Sequence, residues 1–144
     1  MEDDLLAIRE YQGEGYQPLV DFGSWRVAIL RWGPGSQAEE IKMMERHTQT
    51  DEVFVLLGGR ATLIIGGNQG KVDDIQAEVM ASGKLYNVKQ NTWQTALLSQ
   101  DAAILIVENR DTGESNSEFF QLNVEQRRVI LGLEYHPNLS EATR

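Results

Sequence analysis

Glu45, His47 and Glu52 can each bind a metal ion or move a proton, and they lie close together in the segment Glu45-Arg46-His47-Thr48-Gln49-Thr50-Asp51-Glu52. Positions 45 and 47 are two apart, so on a β-strand both side chains point to one face. The polar run Thr48-Gln49-Thr50-Asp51 can turn the chain and return Glu52 alongside them. His47 can then serve as a ligand, a general base or a hairpin residue. Glu52 opens the apolar run Val53-Phe54-Val55-Leu56-Leu57. If it points inward it needs a cation or hydrogen-bond donors, because an unpaired buried carboxylate is costly. Arg46 falls on the opposite face from Glu45 and His47 and reads as a solvated charge.

The elements that must position these groups are strands. Trp25 to Trp32 is β-branched and aromatic, and Gly33-Pro34-Gly35 stops it. Glu52 to Leu57 and Arg60 to Ile65 flank Gly58-Gly59, a hairpin signal. Gly66-Gly67-Asn68-Gln69-Gly70 is a second turn, and no helical pattern opens after it, which argues against a phosphate cradle. Ile75 to Ala81 and Leu85 to Val88 read as short strands. Trp93 to Leu98 and Ala102 to Glu108 read as a strand pair around Ser99-Gln100-Asp101. Asp111 to Ser117 reads as a loop. Asn123, three residues before Gln126, predicts a capped helix over about 123–132, with Gly132 as its stop. Pro137 to Arg144 reads as a tail, and His136 before it as structural. Many short strands with frequent turns predict an all-β sandwich or barrel.

The segment from Glu45 to Gly59 resembles the first motif of the cupin superfamily, in which two histidines one residue apart precede a glutamate and a glycine. His47 stands at the second histidine, Glu45 where the first is usual, Glu52 at the glutamate, and Gly58 or Gly59 at the glycine. Lys89-Gln90-Asn91-Thr92-Trp93-Gln94 resembles the second motif, without its proline and glycine and with Gln94 at its histidine. The resemblance covers roughly residues 25–110 and implies a cupin-like jelly-roll barrel. It also implies a metal set of His47, Glu52, Glu45 and Gln94, and it places Trp93, which by residue type reads as core together with Trp25, Trp32, Phe54 and Tyr86, at a mouth beside Gln94. One imidazole, two carboxylates and an amide oxygen suit Mn²⁺, Fe²⁺ or Mg²⁺-like ions, and the family context extends the choice to Mn, Fe, Ni or Zn. A single histidine supplies fewer strong donors than three, so the balance tips towards no tightly held metal. The resemblance further implies a homodimer.

Composition narrows the partners. The chain has 144 residues, 41% hydrophobic and 24% charged, an ordinary globular balance that suits one domain over 1–144. A net charge of −9 argues against nucleic acid and against an anionic membrane surface. The absence of cysteine excludes disulfides, thiolate zinc sites and a cysteine nucleophile. The start Met1-Glu2-Asp3-Asp4 has no basic or apolar leader region, so a cytoplasmic protein is expected. There is no G-x-S-x-G elbow, P-loop or H-E-x-x-H helix. Lys84 and Lys89 read as surface lysines. The expectation is a pocket that binds a small polar metabolite or sugar-like ligand through Glu45, His47, Glu52, Trp93 and Gln94. The alternative is a metal-dependent enzyme of isomerase, epimerase, lyase or dioxygenase type.

Overall fold

In the computed structural model, which describes Glu2 and residues 4–133, the chain folds as two antiparallel five-stranded sheets. In chain order the strands are β1 (Gly15–Phe22), β2 (Trp25–Arg31), β3 (Met43–His47), β4 (Glu52–Gly58), β5 (Ala61–Ile65), β6 (Gln76–Val79), β7 (Tyr86–Val88), β8 (Gln94–Leu98), β9 (Ala103–Asn109) and β10 (Ser117–Gln121). The first sheet runs β1-β2-β9-β4-β7 and the second β10-β3-β8-β5-β6. After β2 most connections pass from one sheet to the other, the pattern of a jelly roll.

Alternation explains the core. On β4 and β9 the inward positions carry Phe54, Leu56, Ile104 and Ile106, and these pack with Ala28, Leu63 and Leu98 between the sheets. β5 is buried on both faces: Leu63 points into this core, and Ile64 joins a second cluster outside the second sheet. That second cluster holds Met44, Trp93, Leu97 and Leu122. The helix α1 (Val124–Leu133) adds Ile130, which has no solvent exposure. Its start is capped reciprocally: the Asn123 amide donates to Gln126 Oε1 at 2.9 Å and the Gln126 amide donates to Asn123 Oδ1 at 2.8 Å.

Several connections differ from the sequence reading. Gly58-Gly59 is not a hairpin, because β4 and β5 lie in different sheets. Gly59 sits at φ +68°, and a Cβ there would stand 2.6 Å from the Ala102 backbone, so the pair serves a tight corner between sheets. β8 and β9 likewise belong to different sheets rather than pairing around Ser99-Gln100-Asp101. The true hairpins are β5–β6, around the Gly-rich turn, and β1–β2, around Gly23-Ser24. β1 and β10 both lie outside the expected 25–110 span; both are edge strands, and β10 begins at Ser117 where a loop was expected to end. Gly132 falls inside α1 rather than stopping it. His136 and the expected tail from Pro137 lie outside the described residues.

Candidate functional site

The sandwich opens on a cavity of about 550 Å³. Its polar end is lined by Tyr16, Glu45, His47, Glu52, Gln94 and Glu108, and its walls by apolar groups that include Phe54, Leu98, Ile106 and Phe119. An apolar cavity with a few convergent polar groups is the usual form of a small-molecule site.

Strand period places the polar groups. Glu45 and His47 share the inward face of β3, while Met44 and Arg46 face the outer cluster. Arg46 is therefore not a free solvated charge: it lies 4.5 Å over the Trp93 ring and pairs with Glu118 at 2.7 Å. Glu52 starts the inward row Glu52, Phe54, Leu56 of β4, and Glu108 ends the row Ile104, Ile106, Glu108 of β9. β4 and β9 are paired through Val53–Val107, so the two glutamates stand side by side one step further on. Both are buried, at 5% and 6% exposure.

Across the cavity, His47 Nε2 lies 3.3 Å from Glu52 Oε1 and 4.0 Å from Glu45 Oε1. Its Nδ1 is 2.8 Å from the Ser117 hydroxyl of β10, which fixes the ring. The Gln94 amide nitrogen is 3.4 Å from Glu52 Oε1 and 3.5 Å from Glu45 Oε1. Gln94 thus presents its NH₂ group, not its oxygen, to the carboxylates. The Tyr16 hydroxyl donates to Glu108 Oε2.

Burial and crowding shift the protonation of these groups. Burial, then the hydrogen bond to Glu52 and its negative charge, push Glu108 up to about 7, against the opposing effects of Tyr16 and His47. Burial also raises Glu45, and the charge of Glu108 adds to it while His47 and Gln94 oppose it. For His47 burial works downwards, but the Glu52 hydrogen bond and the charges of Glu52, Glu45 and Glu108 outweigh it and raise the imidazole. The Tyr16 phenol is raised by burial of its hydroxyl and by Glu108. The result is a carboxyl pair that holds a proton near neutrality, facing an imidazole inclined to be cationic.

The same atoms fit a divalent cation. Ligand atoms of His47, Glu52 and Glu108 all lie within 4.8 Å of one another. One imidazole with two carboxylates is an oxygen-rich set of the kind that takes Mn²⁺ or Fe²⁺. The Ser117 contact to Nδ1 leaves Nε2 turned towards the carboxylates, as an outer partner of a ligating histidine does.

Of the residues expected from sequence, Glu45, His47, Glu52 and Gln94 come together at the cavity. Trp93 does not. It is 2% exposed on the far face of the second sheet, its ring tilted against Phe120 and its indole N–H donating to the Gln69 carbonyl at 2.9 Å. Neighbours on a strand point to opposite faces, so an inward Gln94 sends Trp93 outward. Lys84 and Lys89 do not line the cavity. Glu108, Tyr16 and Ser117 were not expected. Only Glu108 carried a signal, as a charged residue continuing the inward row of Ile104 and Ile106.

Comparison with known proteins adds a family. The family described as ureidoglycolate lyase matches residues 11–129 of this chain. A ureidoglycolate lyase of Rhizobium etli is 29% identical over 122 residues, covering 80% of this chain and 68% of that protein. Among solved structures, a cupin-2 domain protein of Rhodospirillum rubrum is similar with a TM-score of 0.52 and 14% identity, over 94% of this chain and 86% of that one. The nucleoside dehydratase Pac13 is similar with a TM-score of 0.55 and 13% identity, over 80% of this chain and 86% of that one. At such identities these structures speak for the fold, the cupin jelly roll, and for nothing further.

Proposed function

The chain belongs to the ureidoglycolate lyase family, and from that premise we propose that it cleaves a small ureido-hydroxy acid of the ureidoglycolate type in the cavity between its sheets. The observation that carries this reading is the buried Glu52–Glu108 carboxyl pair facing His47 at the polar end of the cavity.

Ureidoglycolate carries a hydroxyl, a carboxylate and a urea nitrogen on one carbon. A lyase breaks its carbon–nitrogen bond without water: the hydroxyl proton is removed, the carbon–oxygen double bond forms, and the departing urea nitrogen takes up a proton. Glyoxylate and urea together hold every atom of the substrate. Such a step needs one group to accept a proton and one to give it. Two adjacent carboxyl groups, one of which holds its proton up to near neutrality, supply both. Glu52 is the acceptor in this reading, and Glu108, raised to about 7, is the donor. His47, raised and turned towards the cavity, offers positive charge to the substrate carboxylate. The apolar walls keep water from the reacting carbon.

A proton and a divalent cation are alternative ways to relieve the same two carboxylates. His47, Glu52 and Glu108 would hold such an ion, which would supply positive charge for the substrate's carboxylate and hydroxyl oxygens. Glu45, raised by burial at the cavity rim, is then the carboxylate left to accept a proton. The reading also takes the protein as cytoplasmic and homodimeric. Among the described residues no helix is long and apolar enough to cross a membrane.

The test is release of urea and glyoxylate from ureidoglycolate, measured with and without added Mn²⁺. Equal amounts of the two products support the lyase. A rise in melting temperature on adding ureidoglycolate, with no product, replaces it with the binding pocket expected from sequence.

A further inference from the structure

The cavity is longer than its polar end. On β3 the lining side chains run from His47 through Glu45 to Met43, and on the paired strand β10 from Ser117 to Phe119. On β8 they run from Gln94 through Ala96 to Leu98, with Gln94 opposite Glu45. On β4 and β9, Phe54 and Ile106 stand behind Glu52 and Glu108. Each strand changes from polar to apolar in the same direction, so the cavity continues from the polar end as an apolar trough. Gln94 to Leu98 is four strand steps, about 13 Å. Ureidoglycolate spans roughly 6 Å, five bonds of about 1.2–1.5 Å from a carboxylate oxygen to its terminal nitrogen, and it is polar on almost every atom. Held at Glu52, Glu108 and His47, it leaves the trough unfilled. Met43 and Phe119, which line the trough, are 47% and 50% exposed. Large apolar side chains open to a cavity mark a binding surface rather than a core. Arg31 and Glu114 line the cavity too, each at the end of its element and outside these rows.

We propose that this trough is a subsite for an uncharged, apolar substituent on the urea nitrogen remote from the reacting carbon, so that the protein prefers N-substituted ureidoglycolates to ureidoglycolate itself. The proposal rests on the lyase reading above and narrows its substrate class. The ureido group is the extended arm of the substrate, and its far nitrogen is the atom that can carry a chain along the trough. The substituent is apolar because Met43, Ala96, Leu98 and Phe119 offer no hydrogen-bonding side chain, and a polar group placed among them would lose its water without replacement. It also agrees with the volume. The 550 Å³ cavity falls in the ~300–1,000 Å³ range of sites that enclose much larger ligands. The reaction is unchanged by the substituent. The hydroxyl loses its proton, the carbon–oxygen double bond forms as the carbon–nitrogen bond breaks, and the departing nitrogen takes a proton. The products are glyoxylate and an N-substituted urea. Each methylene buried in the trough adds about 4-fold in affinity.

The experiment compares steady-state cleavage of ureidoglycolate and of its derivative with a butyl group on the remote nitrogen. The expected result is a KM about 10-fold or more lower for the butyl compound, the gain from burying only two of its methylenes. Ala96→Phe, which fills the trough, should abolish that advantage; if it does not fold, Phe119→Ser at an exposed position takes its place. A second measurement does not depend on turnover. Calorimetry compares 2-hydroxyoctanoate with glycolate, two hydroxy acids with no carbon–nitrogen bond to break. The longer acid should bind about 10-fold or more tightly to the wild type and lose that margin in the same variant. Tighter binding of the longer acid with no cleavage of either ureido compound keeps the subsite and overturns the lyase. Cleavage of both ureido compounds with equal KM, equal affinity for the two acids, or an advantage that survives in the folded variant overturns the subsite.

Discussion

Glu52 and Glu108 are the two side chains whose burial most needs a cause. Carboxylates side by side inside a protein require a proton, donors or a cation. Gln94 offers one NH₂ group at 3.4 Å, His47 one ring nitrogen at 3.3 Å and Tyr16 one hydroxyl, which falls short of the acceptor capacity of two carboxylates. Added Mn²⁺ should therefore stabilise the protein. A cation at 100 times its dissociation constant contributes about 2.7 kcal/mol, a rise of several degrees in melting temperature. The rise should be lost in His47→Ala and in Glu52→Ala, and elemental analysis of chelator-free protein should follow the same order. No shift in the wild type, with no bound metal, would leave the shared proton as the only relief. Much of this centre was legible at the residue scale. The i, i+2 spacing of Glu45 and His47 and the polar turn before Glu52 brought those three together. Glu108 was missed because a charged residue at a strand end is ordinarily exposed, and only the β4–β9 register shows that this one meets Glu52. Tyr16 carried no local signal. Trp93 was assigned to the mouth by its neighbour in sequence, although adjacent strand positions face opposite ways.

At the scale of elements, composition and alternation located most strands to within a residue or two, because β-branched runs and turn residues act locally. Which strands pair is not a local property. A Gly-Gly between two apolar runs signals a chain reversal equally well within a sheet and between sheets, and here it makes the corner from β4 to β5. The edge strands β1 and β10 were overlooked for the complementary reason: Pro18 interrupts β1, and β10 is largely exposed with a polar start. The corner gives a sharp prediction. Gly59→Ala places a Cβ 2.6 Å from the Ala102 backbone at φ +68°, where no flexible side chain can yield. It should cost more than about 2 kcal/mol in urea unfolding. Ile130→Ala should cost about 2–5 kcal/mol by leaving a hole between α1 and the second sheet. Its effect should fall on stability alone, because Ile130 lies on the far side of that sheet from the cavity.

For the whole molecule, the site should set how stability depends on pH. Glu108, Glu45 and His47 all have raised values, so each holds protons more tightly folded than unfolded. Their contribution is greatest at low pH and is lost as pH rises, for Glu108 between its ordinary 4.5 and about 7. Asp21, Asp51 and Asp101 are lowered and act in the opposite sense. Their contribution is present above the ordinary 3.8 and is lost only as pH falls below it. Between pH 5 and 8 the melting temperature of cation-free protein should therefore fall as pH rises, and calorimetry with chelator present should show a shallower fall in Glu108→Gln. The same substitution tests the central claim most directly, that the buried Glu52–Glu108 pair opposite His47 performs the chemistry. Glutamine keeps the size and hydrogen-bonding reach of Glu108 but can neither carry its charge nor release its proton. Steady-state urea release from ureidoglycolate should fall by about 100-fold or more in kcat, the usual loss when a general acid is removed, while the far-UV spectrum stays unchanged. A folded Glu108→Gln protein that releases urea at the wild-type rate would contradict the account.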